Sequence, residues 1–276
     1  MNQNTPIVIG GVGGSGTRLI AQILMDLGYH MGNELNESMD NMWFMFLFKR
    51  CDILGLSDIE FKKTLDILIS TLSKKGTLCK KQIELVNQIA EIDRNFYSKQ
   101  GFRKLASSII NNVNTKTIKK WGWKEPNSHI VIKQLRKSLP NMKFVHVIRN
   151  GLDMAFSKNQ NQLILWGSQF INGKFKITPK DSLRFWCLVH KELLKFSKTM
   201  KQDFYLLNFD DFCHNPNEGL EKLSHFLQVN LSPVQQKHIL SLVNPLNSVG
   251  RYKSHELSIF NKSDLDYVKQ LGFETE

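Results

Sequence analysis

The chain has 276 residues, enough for one sizeable domain or two small ones. No apolar run is long enough for a membrane-spanning helix, and the first twenty residues lack the basic leader of a secretory signal. The net charge of +12 predicts an anionic partner, although many lysines lie on helical stretches where a solvated face explains them. The four cysteines are far apart without a CxxC pair, so we expect neither a metal cluster nor disulfides, and a cytoplasmic location.

The chain opens with a strand, a glycine-rich turn and a helix. Residues 6–10 are apolar and rich in β-branched side chains, which predicts a buried strand. From Thr17 to Leu27 the apolar residues recur at helical spacing, and Gly28 closes the pattern. This order is typical of the first unit of an α/β sheet.

Residues 36–112 are predicted to be helical throughout, with joints at Gly55, Gly76 and Gly101. We interpret this stretch as an α-helical insertion that covers one face of a single domain spanning residues 1–276. Its aromatic block could line a ligand pocket, but an aromatic helix face more often belongs to the core; the residues concerned are Trp43, Phe44 and Phe48.

Strands and helices alternate in the rest of the chain. Residues 121–126 are predicted to form a short strand that ends in a polar loop, and further strands are predicted over 143–148 and 204–209. Helices are predicted over 130–139, 185–196 and 216–227. Such alternation predicts the α/β class: a three-layer sandwich with a mostly parallel central sheet and helices on both sides.

The glycine-rich turn at residues 10–18 favours an anion site. Glycines let successive N–H groups point at one anion, and the start of a helix adds partial positive charge. Ser15 and Thr17 offer hydroxyl groups and Arg18 a cation. A tight turn without a ligand is the alternative, but five glycines with these side chains favour a phosphate-binding cradle.

The turn departs from two known phosphate-binding patterns. Counted from Gly11, the ATP pattern G-x-x-x-x-G-K-[ST] reaches Gly16, but Thr17 and Arg18 follow instead of lysine and a hydroxyl residue. An ATP or GTP hydrolase is therefore disfavoured. The dinucleotide fingerprint is disfavoured as well, because no acidic residue closes a second strand at the required place.

A second anion site is predicted after the strand at residues 143–148. Arg149 ends that strand, and Ser157 follows eight residues later. Because ligands of open α/β sheets bind at the carboxyl ends of the strands, both candidate sites lie at the same edge of the sheet.

These segments resemble the sulfotransferases that use 3′-phosphoadenosine 5′-phosphosulfate (PAPS). Residues 14–18 (Gly-Ser-Gly-Thr-Arg) resemble the family's 5′-phosphosulfate loop, and Arg149 with Ser157 resembles its 3′-phosphate clamp. Residues 209–216 and 249–253 are similar to two later family segments, the second a basic loop that folds over the nucleotide. The matches keep the family's order from residue 7 to about 253.

The resemblance implies a P-loop-like nucleotide site that binds PAPS without a metal. The residues implied in cofactor binding are Gly13, Gly14, Ser15, Gly16, Thr17, Arg18, Arg149, Ser157, Arg251 and Lys253. Gly14 stands where the family usually has a cation. Lys124 resembles the lysine of the Lys-Asp/Glu-Pro motif in the tyrosylprotein branch, and either it or Arg18 is expected to supply the missing catalytic charge.

A general base is expected in the acidic segment after the first helix. Glu37 is the first choice and Glu34 the second, while Asp40 lies one helical turn from Glu37. These acids could instead cap the helix that follows. The histidines are weaker candidates: His30, His129 and His146.

The sequence thus predicts an in-line, metal-independent sulfuryl transfer to a hydroxyl or amine of a small molecule, glycan or peptide. A P-loop small-molecule kinase and a non-catalytic basic module that binds nucleic acid are the alternatives. We expect neither a nucleic-acid nor a membrane partner, and the sequence leaves the oligomeric state open.

Overall fold

The computed structural model describes residues 5–94, 96–244 and 249–276. The predicted insertion at 36–112 includes one residue, Asn95, that lies outside this description. The chain divides into two compact units. The first contains the chain up to Ile9 together with Ile20–Phe144, and the second contains Gly10–Leu19 together with Val145–Glu276.

Four strands form one sheet in the order β2-β1-β3-β4. β1 and β2 are parallel, with Ile7 opposite Gly122 and Ile9 opposite Lys124. Every residue of β1, β2 and β3 is buried, as expected for near-continuous apolar runs covered on both faces. The strand bounds are β1 Ile7–Gly11, β2 Gly122–Lys124, β3 Lys143–Ile148 and β4 Phe204–Asn208.

The first half of the chain is mainly helical between β1 and β2. Its helices are α1 Thr17–Asp26, α2 Met42–Phe48, α3 Asp58–Leu72, α4 Lys80–Ala90 and α5 Lys99–Ile110, with a 3-10 helix at Cys51–Gly55. The aromatic block of α2 belongs to the core: Phe44 stacks on Phe48 at 4.7 Å between ring centroids and on Trp123 at 5.6 Å. Trp43, Phe44 and Phe48 are all buried, which confirms the core interpretation.

The predicted helical start at residue 36 is wrong. The Asn36 side chain accepts hydrogen bonds from the N–H groups of Ser38 (2.9 Å) and Asp40 (2.8 Å), so it stabilises a turn instead of a helix. Met39 has a left-handed φ of 62° in this turn. α2 begins only after Asn41, whose side chain caps it by accepting the N–H of Phe44. Glu37 and Asp40 therefore do not share a helix face.

Gly101 is not a joint between helices, which also corrects the sequence prediction. It lies inside α5, because Ser98 caps that helix by accepting the Gly101 N–H at 3.0 Å. Gly76, in contrast, lies between α3 and α4 with a φ of 113°.

The second half alternates strands and helices, as predicted. After β2 come a 3-10 helix at Pro126–Val131 and α6 Ile132–Ser138. The remaining helices are α7 Gly151–Ala155, α8 Asn161–Phe170, α9 Pro179–Ser197, α10 Phe209–His214, α11 Pro216–Leu227, α12 Pro233–Leu242 and α13 Lys262–Gln270, with 3-10 helices at Lys201–Asp203 and Arg251–Ser254. The α/β class and the mostly parallel sheet are confirmed.

The core of the second unit surrounds α7 and α9. Trp186 of α9 is buried with Leu152 and Tyr252 in one apolar cluster. Two buried histidines lie nearby in the same unit, with 3.1 Å between the Nε2 atoms of His146 and His190. His146 is fully buried in β3, so it packs in the core.

Candidate active site

The glycine-rich turn connects β1 to α1 in a conformation that only glycine adopts without strain. Gly14 and Gly16 both have a φ of 93°. At Gly16 a Cβ atom would lie 2.1 Å from the ring of Phe209, which is too close for any side chain. The turn is therefore shaped by backbone requirements that the sequence meets with glycine.

The same turn presents polar groups that lack partners. Within the described part of the chain, no hydrogen-bond acceptor is found for the N–H groups of Gly13, Gly14 and Gly16. The hydroxyl of Ser15 is buried and also has no hydrogen-bond partner. A buried hydroxyl without a partner is costly, and a bound anion would satisfy it. The residues of the turn therefore fit an anionic ligand.

Gln162, which the sequence analysis did not single out, contacts the backbone of the glycine-rich turn. Gln162 of α8 is buried and donates from Nε2 to the carbonyl oxygen of Gly11 at 3.0 Å. No motif marks this glutamine, because its role depends on how α8 packs against the turn.

Arg149 lies beside the turn, in the same unit. Its Nη1 is 3.4 Å from the carbonyl oxygen of Gly14, so the structure brings the predicted second anion-binding residue next to the first predicted anion site. The side chain is only 3% exposed and lies between two carboxylates. Its Nη2 is 3.5 Å from Asp153 Oδ2, and its Nε is 3.4 Å from Asp210 Oδ1.

The two carboxylates were not assigned a role from the sequence. Asp153 is 1% exposed on α7, and Asp210 lies in the first turn of α10, directly after β4. Burial raises the pKa of Asp210, and the N–H of Asn150 and the charge of Arg149 offset part of that rise. The sequence did contain a signal for Asp210, namely its position just after a strand. The carboxyl ends of parallel strands meet at one edge of the sheet, which is where Arg149 also lies.

The other predicted cofactor-binding residues have varied surroundings. Ser157 lies just beyond α7, and its hydroxyl accepts the N–H of Asn159 at 3.2 Å. Arg251 donates from Nη1 to the carbonyl oxygen of Asp153 at 3.2 Å. Lys253 is exposed and pairs with Glu274 at 3.2 Å, which raises its pKa.

Thr17 is buried at the start of α1, and Arg18 is exposed on the same helix.

Lys124 belongs to the first unit and is 2% exposed at the end of β2. Its Nζ donates to the carbonyl oxygen of Ser38 at 2.9 Å and pairs with the carboxylate of Asp40. The ion pair joins β2 to the turn at residues 36–41. Glu125, the sequence neighbour of Lys124, instead accepts hydrogen bonds from Asn127, and burial raises its pKa.

The two candidate bases lie on the turn before α2. Glu37 is exposed, and Glu34 is half-buried. Of the three histidines considered, His129 is buried, and burial lowers its pKa to about 4. Among the residues the structure describes, no group of three or more His, Cys, Asp or Glu side chains could hold a metal ion.

A mostly parallel sheet with a glycine-rich turn between its first strand and first helix defines the α/β class of this protein. In such folds a strand-to-helix turn is where anions commonly bind. The chain belongs to the sulfotransferase family, whose model matches residues 6–233. It is therefore a transferase by family. A comparison with curated proteins finds no match.

Solved sulfotransferase domains have the same fold. The sulfotransferase domain of the olefin synthase from Synechococcus PCC 7002 is similar with a TM-score of 0.53 and 13% identity, covering 100% of this chain and 98% of that one. The sulfotransferase domain from the curacin biosynthetic pathway is similar with a TM-score of 0.51 and 14% identity, covering 99% of both chains. In the described ranges, no helix is both long and apolar enough to cross a membrane.

Proposed function

We propose that this protein transfers a sulfuryl group from PAPS to a hydroxyl or amine acceptor. The observation that carries the proposal is the contact between the two candidate anion sites: Arg149 Nη1 lies 3.4 Å from the carbonyl oxygen of Gly14. Because the 3′- and 5′-phosphates of one nucleotide are carried by the same ribose, the two sites that bind them must be neighbours. Membership of the sulfotransferase family supports this donor.

The cradle would hold the 5′-phosphosulfate. The N–H groups of Gly13, Gly14 and Gly16, the hydroxyls of Ser15 and Thr17 and the start of α1 are suited to an anion. The orphaned Ser15 hydroxyl supports this fit, because an anion would supply the acceptor that it lacks.

Arg149 and Ser157 would hold the 3′-phosphate, and Arg251 and Lys253 would contribute from the segment that resembles the family's basic loop. Arg149 is already fixed by Asp153 and Asp210, so little side-chain entropy remains to be lost when an anion binds. Such a site separates PAPS from ATP, which carries no phosphate at the 3′ position.

Bound PAPS would supply an activated sulfuryl group, and the chain's own residues would supply positioning and charge. Transfer of this kind depends mainly on orientation and electrostatic stabilisation. Lys124 would provide the cation that Gly14 cannot. Its place in the Lys-Glu-Pro segment, which resembles the lysine motif of the tyrosylprotein branch, supports this role over that of Arg18.

A carboxylate on the turn at residues 34–40 would accept the proton of the acceptor hydroxyl or amine. Glu37 is the first candidate, because its side chain is exposed and forms no ion pair among the described residues. Glu34 is the second. Asp40 is already paired with Lys124 and is better suited to hold that lysine.

The donor can be tested by thermal unfolding with and without 3′,5′-diphosphoadenosine, using MgATP in parallel. A ligand that binds only the folded state raises the melting temperature. We expect stabilisation by 3′,5′-diphosphoadenosine and little by MgATP, followed by sulfuryl transfer from PAPS in a panel of hydroxyl and amine acceptors. Stabilisation by MgATP alone would favour the kinase alternative and overturn the proposal.

A further inference from the structure

A single buried carboxylate connects Arg149 to a distant segment of the chain. Asp153 Oδ2 lies 3.5 Å from Arg149 Nη2 and also accepts the N–H of Gly250 at 2.8 Å. Its Oδ1 accepts the N–H of Tyr252 at 3.1 Å. Both oxygens of this carboxylate therefore have partners. Oδ2 faces both Arg149 and the N–H of Gly250, and Oδ1 accepts only the N–H of Tyr252 among the described residues.

The segment bound by Asp153, residues 250–252, is a turn with a defined shape. Gly250 has a left-handed φ of 75°, and Tyr252 is 2% exposed with its hydroxyl donating to the carbonyl oxygen of Glu276 at 3.2 Å. Between them, Arg251 donates to the backbone carbonyl of Asp153. Every residue of the 250–252 turn is thus bonded to Asp153, through its side chain or its backbone.

These contacts depend on one another for an electrostatic reason. A carboxylate that is 1% exposed is costly unless a cation compensates its charge and donors satisfy its lone pairs. Arg149 supplies the charge, and the N–H groups of Gly250 and Tyr252 supply the donors. Removing the charge of Asp153 therefore disturbs both the guanidinium of Arg149 and the turn at residues 250–252.

We propose that Asp153 is a positioning residue that holds Arg149 and the 250–252 turn together as one binding unit for the 3′-phosphate of the donor nucleotide. The proposal rests on the proposed function, because it assigns the second phosphate to this unit. Asp153 acts through Arg149 and Arg251 and does not itself touch the anion, which its own negative charge would repel. Asp153 itself makes no contact with the cradle at residues 13–18 among the described residues. It is linked to the cradle through Arg149 Nη1, 3.4 Å from the Gly14 carbonyl oxygen, whereas it bonds directly to the 250–252 turn, so its loss should affect the 3′-phosphate more than the 5′-phosphate.

The test compares two ligands that differ only in the 3′-phosphate. Isothermal titration with 3′,5′-diphosphoadenosine and with adenosine 5′-monophosphate is carried out on the wild type and on Asp153→Asn. The asparagine keeps the volume but removes the charge, and its Nδ2 cannot accept the N–H that the lost oxygen accepted. We expect affinity for the bisphosphate to fall about tenfold or more, a typical coupling between contacting residues, and affinity for the monophosphate to change less than about twofold.

Asp264 provides a matched control in the same unit. It is a buried aspartate, 7% exposed, that accepts a hydrogen bond from the side chain of Asn261. Asp264→Asn should leave the ratio of the two affinities unchanged, whatever it does to stability. Equal losses for both ligands in Asp153→Asn would show a purely structural role and overturn the inference.

A second variant keeps the proposal testable if Asp153→Asn does not fold. Gly250→Ala strains the left-handed backbone of the turn, while the nearest atom to the added methyl group is the Cδ of Lys253 at 3.7 Å. It must show the same selective loss for the bisphosphate. A wild type that binds both nucleotides equally would remove the proposed function and this inference with it, whereas a wild-type preference that survives in both variants would remove the inference alone.

Discussion

Arg149 Nη1 lies 3.4 Å from the carbonyl oxygen of Gly14, which joins a residue after β3 to the turn after β1. The same guanidinium faces Asp153 and Asp210, so one buried cation is shared by the turn and two carboxylates. This arrangement gives Arg149 a role in stability beside its proposed role in binding an anion.

Replacement of this cation should therefore destabilise the protein. Arg149→Met leaves two carboxylates without their partner, and breaking a buried ion pair in this way costs about 3–5 kcal/mol in the free energy of unfolding. The measurement is urea-induced unfolding of the variant and the wild type. The double variant Arg149→Met/Asp210→Asn should recover part of the loss, because one of the two orphaned charges is gone. A single variant as stable as the wild type would contradict this view of Arg149.

Gly16 should not tolerate a side chain. In Gly16→Ala the Cβ would lie 2.1 Å from the Phe209 ring and the φ of 93° would be strained, so we expect a loss of about 2–4 kcal/mol in stability. Gly173→Ala is the matched control, since Gly173 has a φ of 90° but nothing within 4 Å of the added methyl group. The difference between the two variants in urea unfolding measures the clash alone. Equal losses would show that only the backbone conformation matters.

His129 should make the protein less stable in acid. Burial lowers its pKa from 6.5 to about 4, so the unfolded chain binds a proton first as the pH falls. The contribution of His129 to the free energy of unfolding is complete above pH 6.5. It falls by about 3 kcal/mol as the pH decreases from 6.5 towards 4. His129→Gln should remove this part of the pH dependence in unfolding titrations at pH 7 and pH 4. His238→Gln, at an exposed position, controls for the loss of an imidazole, and an unchanged slope in His129→Gln would refute the assignment.

Lys124 should be needed for turnover more than for nucleotide binding. If it stabilises charge during transfer, Lys124→Met lowers kcat about a hundredfold, the usual effect of removing one stabilising donor. The Kd for 3′,5′-diphosphoadenosine should change only slightly. The exposed Lys119→Met is the control for loss of one positive charge. A kcat close to that of the wild type would exclude Lys124 from catalysis.

Substitution of the proposed general base should spare nucleotide binding and reduce turnover. Glu37→Gln is expected to lower kcat about a hundredfold or more while the nucleotide still raises the melting temperature. Glu34→Gln and Asp40→Asn are measured beside it, because all three acids lie on one short segment. Full activity in Glu37→Gln together with a large loss in one of the other two variants would transfer the role to that residue.

The parts of the fold that depend on residues close together in the sequence could be predicted from the sequence alone. The β1 strand, the glycine turn and α1 were correct because apolar spacing and left-handed glycines act over a few residues. The start of α2 was wrong because the Asn36 side chain competes with the backbone for its hydrogen bonds, and apolar periodicity contains no signal for this competition.

The sequence by itself therefore determined the strand–turn–helix cradle, the α/β alternation and the aromatic core of α2. Only the tertiary structure decided which charges meet: Lys124 pairs with Asp40, 84 residues away, and Arg149 lies between Asp153 and Asp210. The physical reason is that helices and turns form from local contacts, whereas an ion pair between distant residues exists only once the order of the strands brings them together. Burial then fixes the pair, because neither charge can be left in the interior without its partner.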